Sequence, residues 1–137
     1  MGARRVAITA PKGLLKILVL DFAAKRPISG VGIGEKLAVL SGRSWIPSPG
    51  SIYYILGNLL KHEYITEIYT SDRGMKHYVT TSRGKALLIL ERAKLGVSLK
   101  RSLILTSILA RFVNSKAAVK IAEVLEPLSE EFVEPPE

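Results

Sequence analysis

The chain has 137 residues, with 20 Lys and Arg against 12 Asp and Glu, and no cysteine. That length holds one compact domain with an appendage, hardly two independent cores. The absence of thiols excludes disulfides, thiolate metal sites and a cysteine nucleophile, and two histidines do not suffice for a histidine-rich metal centre.

The net charge of +8 is unevenly placed. Glu123, Glu126, Glu130, Glu131, Glu134 and Glu137 fall in the last 15 residues, which contain no Lys or Arg. The residues before them therefore carry about +14, a field that attracts polyanions. Nucleic acid is the leading expected partner, ahead of an acidic membrane surface. The apolar runs at 14–24 and 103–113 are broken by Lys16 and Asp21 and by Arg111. Both fall well short of the ~20 residues that span a bilayer, and no apolar region follows Arg4 and Arg5 as in a signal peptide. A soluble, cytoplasmic protein is expected.

Thr9-Ala10-Pro11-Lys12-Gly13 supplies a cap and an early proline, and Leu14, Leu15, Ile17, Leu18 and Phe22 follow at helical spacing. The pattern predicts a helix over 10–25, ended by Arg26-Pro27. Ser29 caps a second helix carrying Ile33, Leu37 and Leu40 until Ser41-Gly42. Gly30, Gly32 and Gly34 oppose it, each costing up to about 1 kcal/mol relative to alanine. They also imitate a phosphate loop, but the spacer before Gly-Lys-Ser/Thr, the preceding strand and the magnesium-binding hydroxyl are all missing.

Trp45-Ile46-Pro47-Ser48-Pro49-Gly50-Ser51-Ile52-Tyr53-Tyr54 opens the most informative stretch. Ser48 suits the N-cap and Pro49 the first helical position, where no amide donor is needed. At 100° per residue, Ile52, Leu56, Leu59 and Leu60 share one side, while Ser51, Tyr54, Asn58, Lys61 and His62 share the other. Hydroxyl, phenol, amide and cation on one short face suit base edges and phosphates in a major groove. An ordinary solvated face is the competing explanation. Trp45 is expected as a core anchor.

The period then changes. Tyr64-Ile65-Thr66-Glu67-Ile68-Tyr69-Thr70 and Met75-Lys76-His77-Tyr78-Val79-Thr80 read as strands, with turn chemistry in Ser71-Asp72-Arg73-Gly74. Arg73, Lys76 and His77 make this hairpin a cationic finger, suited to phosphates as well as to blunting an edge strand. Thr81 caps a further helix toward Gly96. Ser98 is expected to open another, interrupted at Asn114-Ser115 before helical rhythm resumes over 117–125. Leu103, Ile104, Leu105, Ile108, Leu109, Phe112 and Val113 cover too much of the helix girth for one small domain, so a second subunit is expected to cover them.

Three helices, a hairpin and a helix, the third helix polar outside, make winged helix-turn-helix topology. Trp45-x-Pro47-Ser48-Pro49-Gly50-Ser51-Ile52-Tyr53, followed by Leu56, Leu59 and Leu60, closely resembles the signature of PadR-like transcriptional regulators. The resemblance extends to Pro27-Ile28-Ser29-Gly30, to Lys76-His77-Tyr78-Val79-Thr80 and to Thr81-Ser82-Arg83-Gly84-Lys85-Ala86-Leu87-Leu88. Val31 and Gly32 depart from it, standing where the family commonly has an aromatic and an acidic residue.

The resemblance implies a dimeric DNA-binding repressor with its third helix in the major groove, its wing on phosphates or minor groove, and C-terminal helices for dimerisation. Ser51, Tyr53, Arg73 and Lys76 match the family pattern, whereas Tyr54, Asn58 and Lys61 come from helical spacing alone.

The expectations are therefore these. The fold is mainly α, a winged helix-turn-helix domain over 1–95 with a two-stranded wing, a helical dimerisation region over 96–126, and a disordered acidic tail over 127–137. The DNA-binding residues are Ser48, Gly50, Ser51, Tyr53, Tyr54, Asn58, Lys61, Arg73, Lys76 and His77, and the dimerising ones are Leu103, Ile104, Ile108, Leu109 and Phe112. The partners are double-stranded DNA on a palindromic operator, a second copy of the chain, and an unidentified small-molecule effector whose pocket has no sequence mark. No cofactor, metal, membrane or catalytic residue is expected, since no carboxylate pair, Ser-His-Asp set or ligand spacing occurs. A winged-helix protein-interaction module of a transcription complex is the alternative, because one topology serves both.

Overall fold

The computed structural model describes residues 10, 13–69, 74–113 and 115–131. Its elements in order are α1 Leu14–Lys25, α2 Gly30–Leu40, α3 Pro49–Lys61, β1 Ile65–Tyr69, β2 Lys76–Thr80, α4 Ser82–Phe112 and α5 Lys116–Glu130. They form two units, Met1–Leu88 and Ile89–Glu137, so the division falls inside α4.

Apolar spacing builds the first unit. Val19 and Leu20 of α1, Ile33 and Leu37 of α2, and Leu56 and Leu59 of α3 are fully buried, one stripe from each helix. Ile65, Tyr78 and Leu88 add the inner faces of the hairpin and the start of α4. β1 and β2 pair antiparallel, from Ile65 opposite Thr80 to Tyr69 opposite Lys76. Ile28, between α1 and α2, exchanges backbone hydrogen bonds with Tyr78 at 3.2 and 2.8 Å, which covers the outer edge of β2 at that point. The buried Thr80 hydroxyl donates to the Leu20 carbonyl at 2.7 Å, tying the wing to α1.

Capping follows the sequence closely in the middle of the chain. The Ser29 hydroxyl accepts from Gly32 N–H at 3.0 Å and starts α2 despite its glycines. The Ser48 hydroxyl accepts from Ser51 N–H at 3.2 Å, with Pro49 at the first position of α3. The Thr81 hydroxyl accepts from Gly84 N–H at 3.1 Å, and Ser115 caps α5.

Four sequence expectations are corrected. The first helix begins at Leu14 rather than near residue 10, behind Gly13 in a left-handed conformation (φ 88°); Thr9 and Pro11 lie outside the described residues. No break occurs at Gly96 or Ser98, since α4 is one helix of 31 residues. A single glycine costs only about 1 kcal/mol, too little to stop so long a helix. Trp45 is half-buried, not a core anchor. What organises its turn is the backbone: Trp45 N–H donates to the Ser41 hydroxyl at 2.9 Å, which donates on to the Trp45 carbonyl at 3.1 Å. The acidic tail is not disordered from Pro127, because α5 runs through that residue to Glu130. Pro127 is exposed, so water can reach the carbonyl that its missing N–H leaves unpaired. Residues 132–137 lie outside the described ones.

In the second unit α5 folds back along α4. The Arg111 guanidinium donates two hydrogen bonds to Glu126, at 2.7 and 2.6 Å. Leu99 and Leu103 of α4 line one groove with Leu128 and Glu131. The buried residues described here are small, Ser107, Ala110 and Ala122, while large apolar side chains such as Leu105, Leu109 and Phe112 are exposed. Among the described residues no helix is long and apolar enough to cross a membrane.

Candidate nucleic-acid interface

α3 owes its orientation to the three leucine-class residues that it buries, Ile52, Leu56 and Leu59. Their burial turns Ser51, Tyr54, Asn58 and Lys61, spaced three, four and three residues apart, to solvent in a single stripe. Tyr54 is 73% exposed. Asn58 is exposed, and its side-chain amide carries both donor and acceptor groups. Gly57, also exposed, adds no bulk to that surface, and a Cβ there would meet nothing within 4 Å.

The N-terminal end of the helix is locked. The hydroxyls of Ser48 and Ser51 lie 2.9 Å apart, and Gly50 leaves the first turn bare beside them. Leu15 of α1 joins Ser48, Gly50, Ser51, Tyr54 and Ile55 around a shallow concavity here, a neighbour that no local pattern announced. Tyr53 is exposed over half its surface, yet its ring lies against α2: a Cβ added to Gly30 would sit 3.2–3.3 Å from the ring and hydroxyl. Gly30 is therefore needed for close approach. His62, placed with the polar stripe by spacing, instead ends the helix, its Nδ1 2.9 Å from the Asn58 carbonyl.

On the wing, Lys76 is exposed, with its ammonium 3.9 Å from Glu67 across the strands, a long surface pair that gives up little when the cation turns elsewhere. His77 is half-buried, its Nδ1 3.1 Å from the Met75 carbonyl. Arg73 lies outside the described residues. Tyr69 and Met75, both exposed, flank Lys76, and sequence reading had set neither apart. Burial, with the Glu67 charge adding to it, pushes the Tyr78 phenol above its ordinary range, so this wing residue stays neutral.

The segment from Thr80 to Gly84 fixes the wing to α4. The Thr81 hydroxyl donates to the carbonyls of Glu63 and Tyr64, at 2.7 and 3.1 Å, and the Arg83 guanidinium lies over the Tyr64 ring at 5.2 Å. A Cβ at Gly84 would collide with the Tyr64 carbonyl.

Residues 19–89, just over half of the chain and the whole helix-turn-helix and wing, match the family described as Transcriptional regulator PadR-like. The chain belongs to the PadR-like family of transcriptional regulators. Solved structures agree. A PadR-like regulator from Bacillus cereus is 26% identical, the match covering 69% of this chain and 93% of that one at a TM-score of 0.59. A PadR-family regulator from Clostridium difficile is 22% identical over 60% and 86% of the two chains, at 0.51. A transcriptional regulator from Clostridium thermocellum is 14% identical over 78% and 100%, at 0.63, a likeness of fold alone. No curated protein matches the sequence. PadR-like proteins are regulators rather than enzymes, and the winged helix-turn-helix expected from the sequence is the fold observed.

Proposed function

We propose that this PadR-like protein is a sequence-specific DNA-binding repressor that acts as a homodimer on a palindromic operator. The observation that carries the reading is the exposed Ser51–Tyr54–Asn58–Lys61 stripe on a helix that buries Ile52, Leu56 and Leu59 on its opposite side. In this reading Ser51, Tyr54 and Asn58 approach base edges, and Asn58 pairs with adenine in two-point fashion. Ser48, Gly50 and Tyr53 seat the helix end, and Lys61, Arg73, Lys76 and His77 meet phosphates and supply affinity. Leu103, Ile104, Ile108, Leu109 and Phe112, within the dimerisation region 96–126, cover one another across a two-fold axis, which repeats the reading surface one helical turn along the duplex.

Mobility shift with DNA from upstream of the protein's own gene, at two salt concentrations, tests this. A shift that weakens steeply with salt is the expected result. The exposed apolar residues Val39, Leu40 and Ile46 favour the second reading, a protein-interaction module, and no shift even at low salt would select it.

A further inference from the structure

We propose that Gly57 is a close-approach position for the duplex. By baring the backbone of α3 on its outward face, it lets the helix settle deep enough in the major groove for short side chains to reach base edges. The inference rests on the DNA-binding reading above and assigns a specificity-determining residue that reading leaves out.

The fold itself gives no reason for a glycine there. Gly57 stands in the interior of α3 with helical backbone, unlike Gly13, Gly42 and Gly74, whose φ is positive. A Cβ added to any glycine of α2 would lie within 3.4 Å of another side chain, Tyr53 for Gly30, Ile28 for Gly32 and Ile52 for Gly34. A Cβ at Gly57 would meet nothing within 4 Å. Glycine is the poorest helix former after proline, because its backbone loses the most freedom on folding. At Gly57 it weakens α3 with no compensating contact among the described residues, and what it offers on an exposed face is room for a ligand against the backbone.

The surroundings point the same way. Gly57 lies within about 60° of Tyr54 and Lys61 around the helix, on the side away from the buried Ile52, Leu56 and Leu59. No atom of the Tyr54 or Lys61 side chain comes within 4 Å of where its Cβ would be. Tyr54 instead leans toward the first turn, where it lines the concavity with Ser48, Gly50 and Ser51. The major groove is about 12 Å wide and a helix with its side chains about 10–12 Å across, so the bulk of one outward side chain decides how deep the helix sits. Ser51 and Asn58, the short side chains assigned to base edges, need that depth.

The experiment compares the wild-type chain with Gly57→Ala, Gly57→Leu and Lys76→Ala by urea unfolding and by mobility shift at low salt. The probes are the fragment from upstream of the protein's own gene and a scrambled fragment of equal length and composition. Both Gly57 variants are expected to raise the urea midpoint, being better helix formers on an exposed face. Affinity for the upstream fragment should fall about 10-fold for alanine and about 100-fold for leucine, within the range that loss of one two-point base contact covers. Affinity for the scrambled fragment should stay within about twofold, since phosphate contacts at the groove rim do not need that depth. Stability and specific affinity moving in opposite directions is the signature of a glycine kept for a ligand. A lower urea midpoint in Gly57→Ala overturns the inference and leaves the DNA-binding reading standing. So does an upstream-fragment affinity of Gly57→Leu equal to wild type while Lys76→Ala is weakened, or an equal loss on both fragments. A wild-type chain that shifts neither fragment, or both alike, removes the inference and the sequence-specific reading together.

Discussion

Gly84 shows how one missing side chain joins two elements. The first turn of α4 sits so close to the end of the α3–β1 turn that a methyl group at position 84 would strike the Tyr64 carbonyl and lie 2.7 Å from Thr80 Cγ2. Backbone cannot yield there without breaking the Thr81 N–H bond to the same carbonyl, 3.0 Å long. Gly84→Ala should lower stability by about 1–3 kcal/mol, the range for overpacking, read as a lower urea midpoint at unchanged m-value. Asn58 and Lys76 are expected to fail differently. Asn58→Ala should relax base preference, losing about 1–3 kcal/mol of discrimination at particular positions, while Lys76→Ala should weaken binding to all sequences alike. Affinity of each variant for a panel of single-base operator variants separates the two patterns, and wild-type affinity of Lys76→Ala at moderate salt would remove the wing from the interface.

At the scale of elements, α4 and α5 are joined by a polar clasp set among small residues. The Arg111 guanidinium, by hydrogen bonding first and charge second, holds the Glu126 carboxyl below the usual carboxylate range. Glu126 in turn raises Arg111 further above its ordinary value, so the guanidinium stays charged throughout. A carboxyl lowered in the folded state contributes stability that is present above its unfolded pKa and is lost as pH falls through the folded value. The pair is exposed, so the contribution is small and salt-sensitive. The melting temperature of the wild type should therefore exceed that of Glu126→Gln at neutral pH. The difference should close in acid below the ordinary carboxylate range and shrink in high salt. A gap that is constant with pH would mean that glutamine is disfavoured for another reason.

For the whole molecule, the distribution of apolar surface suggests the assembly. The first unit buries large side chains such as Leu20, Ile33, Leu37 and Leu56, whereas the buried residues described in the second are Ser107, Ala110 and Ala122, with Leu109 65% and Phe112 85% exposed. Exposed apolar side chains of this kind are what the proposed dimer would cover. Leu109→Glu/Phe112→Glu should shift the protein to monomer in sedimentation, keep the circular dichroism of the first unit, and reduce affinity for a palindrome far more than for a half-site. Monomeric wild type at micromolar concentration would contradict the dimer.

Elements that specify themselves locally were legible in the amino-acid order. Ser29, Ser48 and Thr81 act as caps because a hydroxyl needs only the amide two or three residues ahead, and the stripes of α2 and α3 follow from helical period alone. Misjudged boundaries lay where a local signal competes with neighbours: Gly96 and Ser98 inside α4, Pro127 inside α5, and a tryptophan whose size suggested burial but whose turn is held by backbone bonds to Ser41. What only the tertiary structure decided are the approaches between residues far apart in the chain. Leu15 beside Ser51, Tyr53 over Gly30, Gly84 under the Tyr64 carbonyl and Ile28 on the edge of β2 each depend on how helices and wing close around one core. Periodicity tells which face of an element is apolar; it does not tell which distant residue will lie against it.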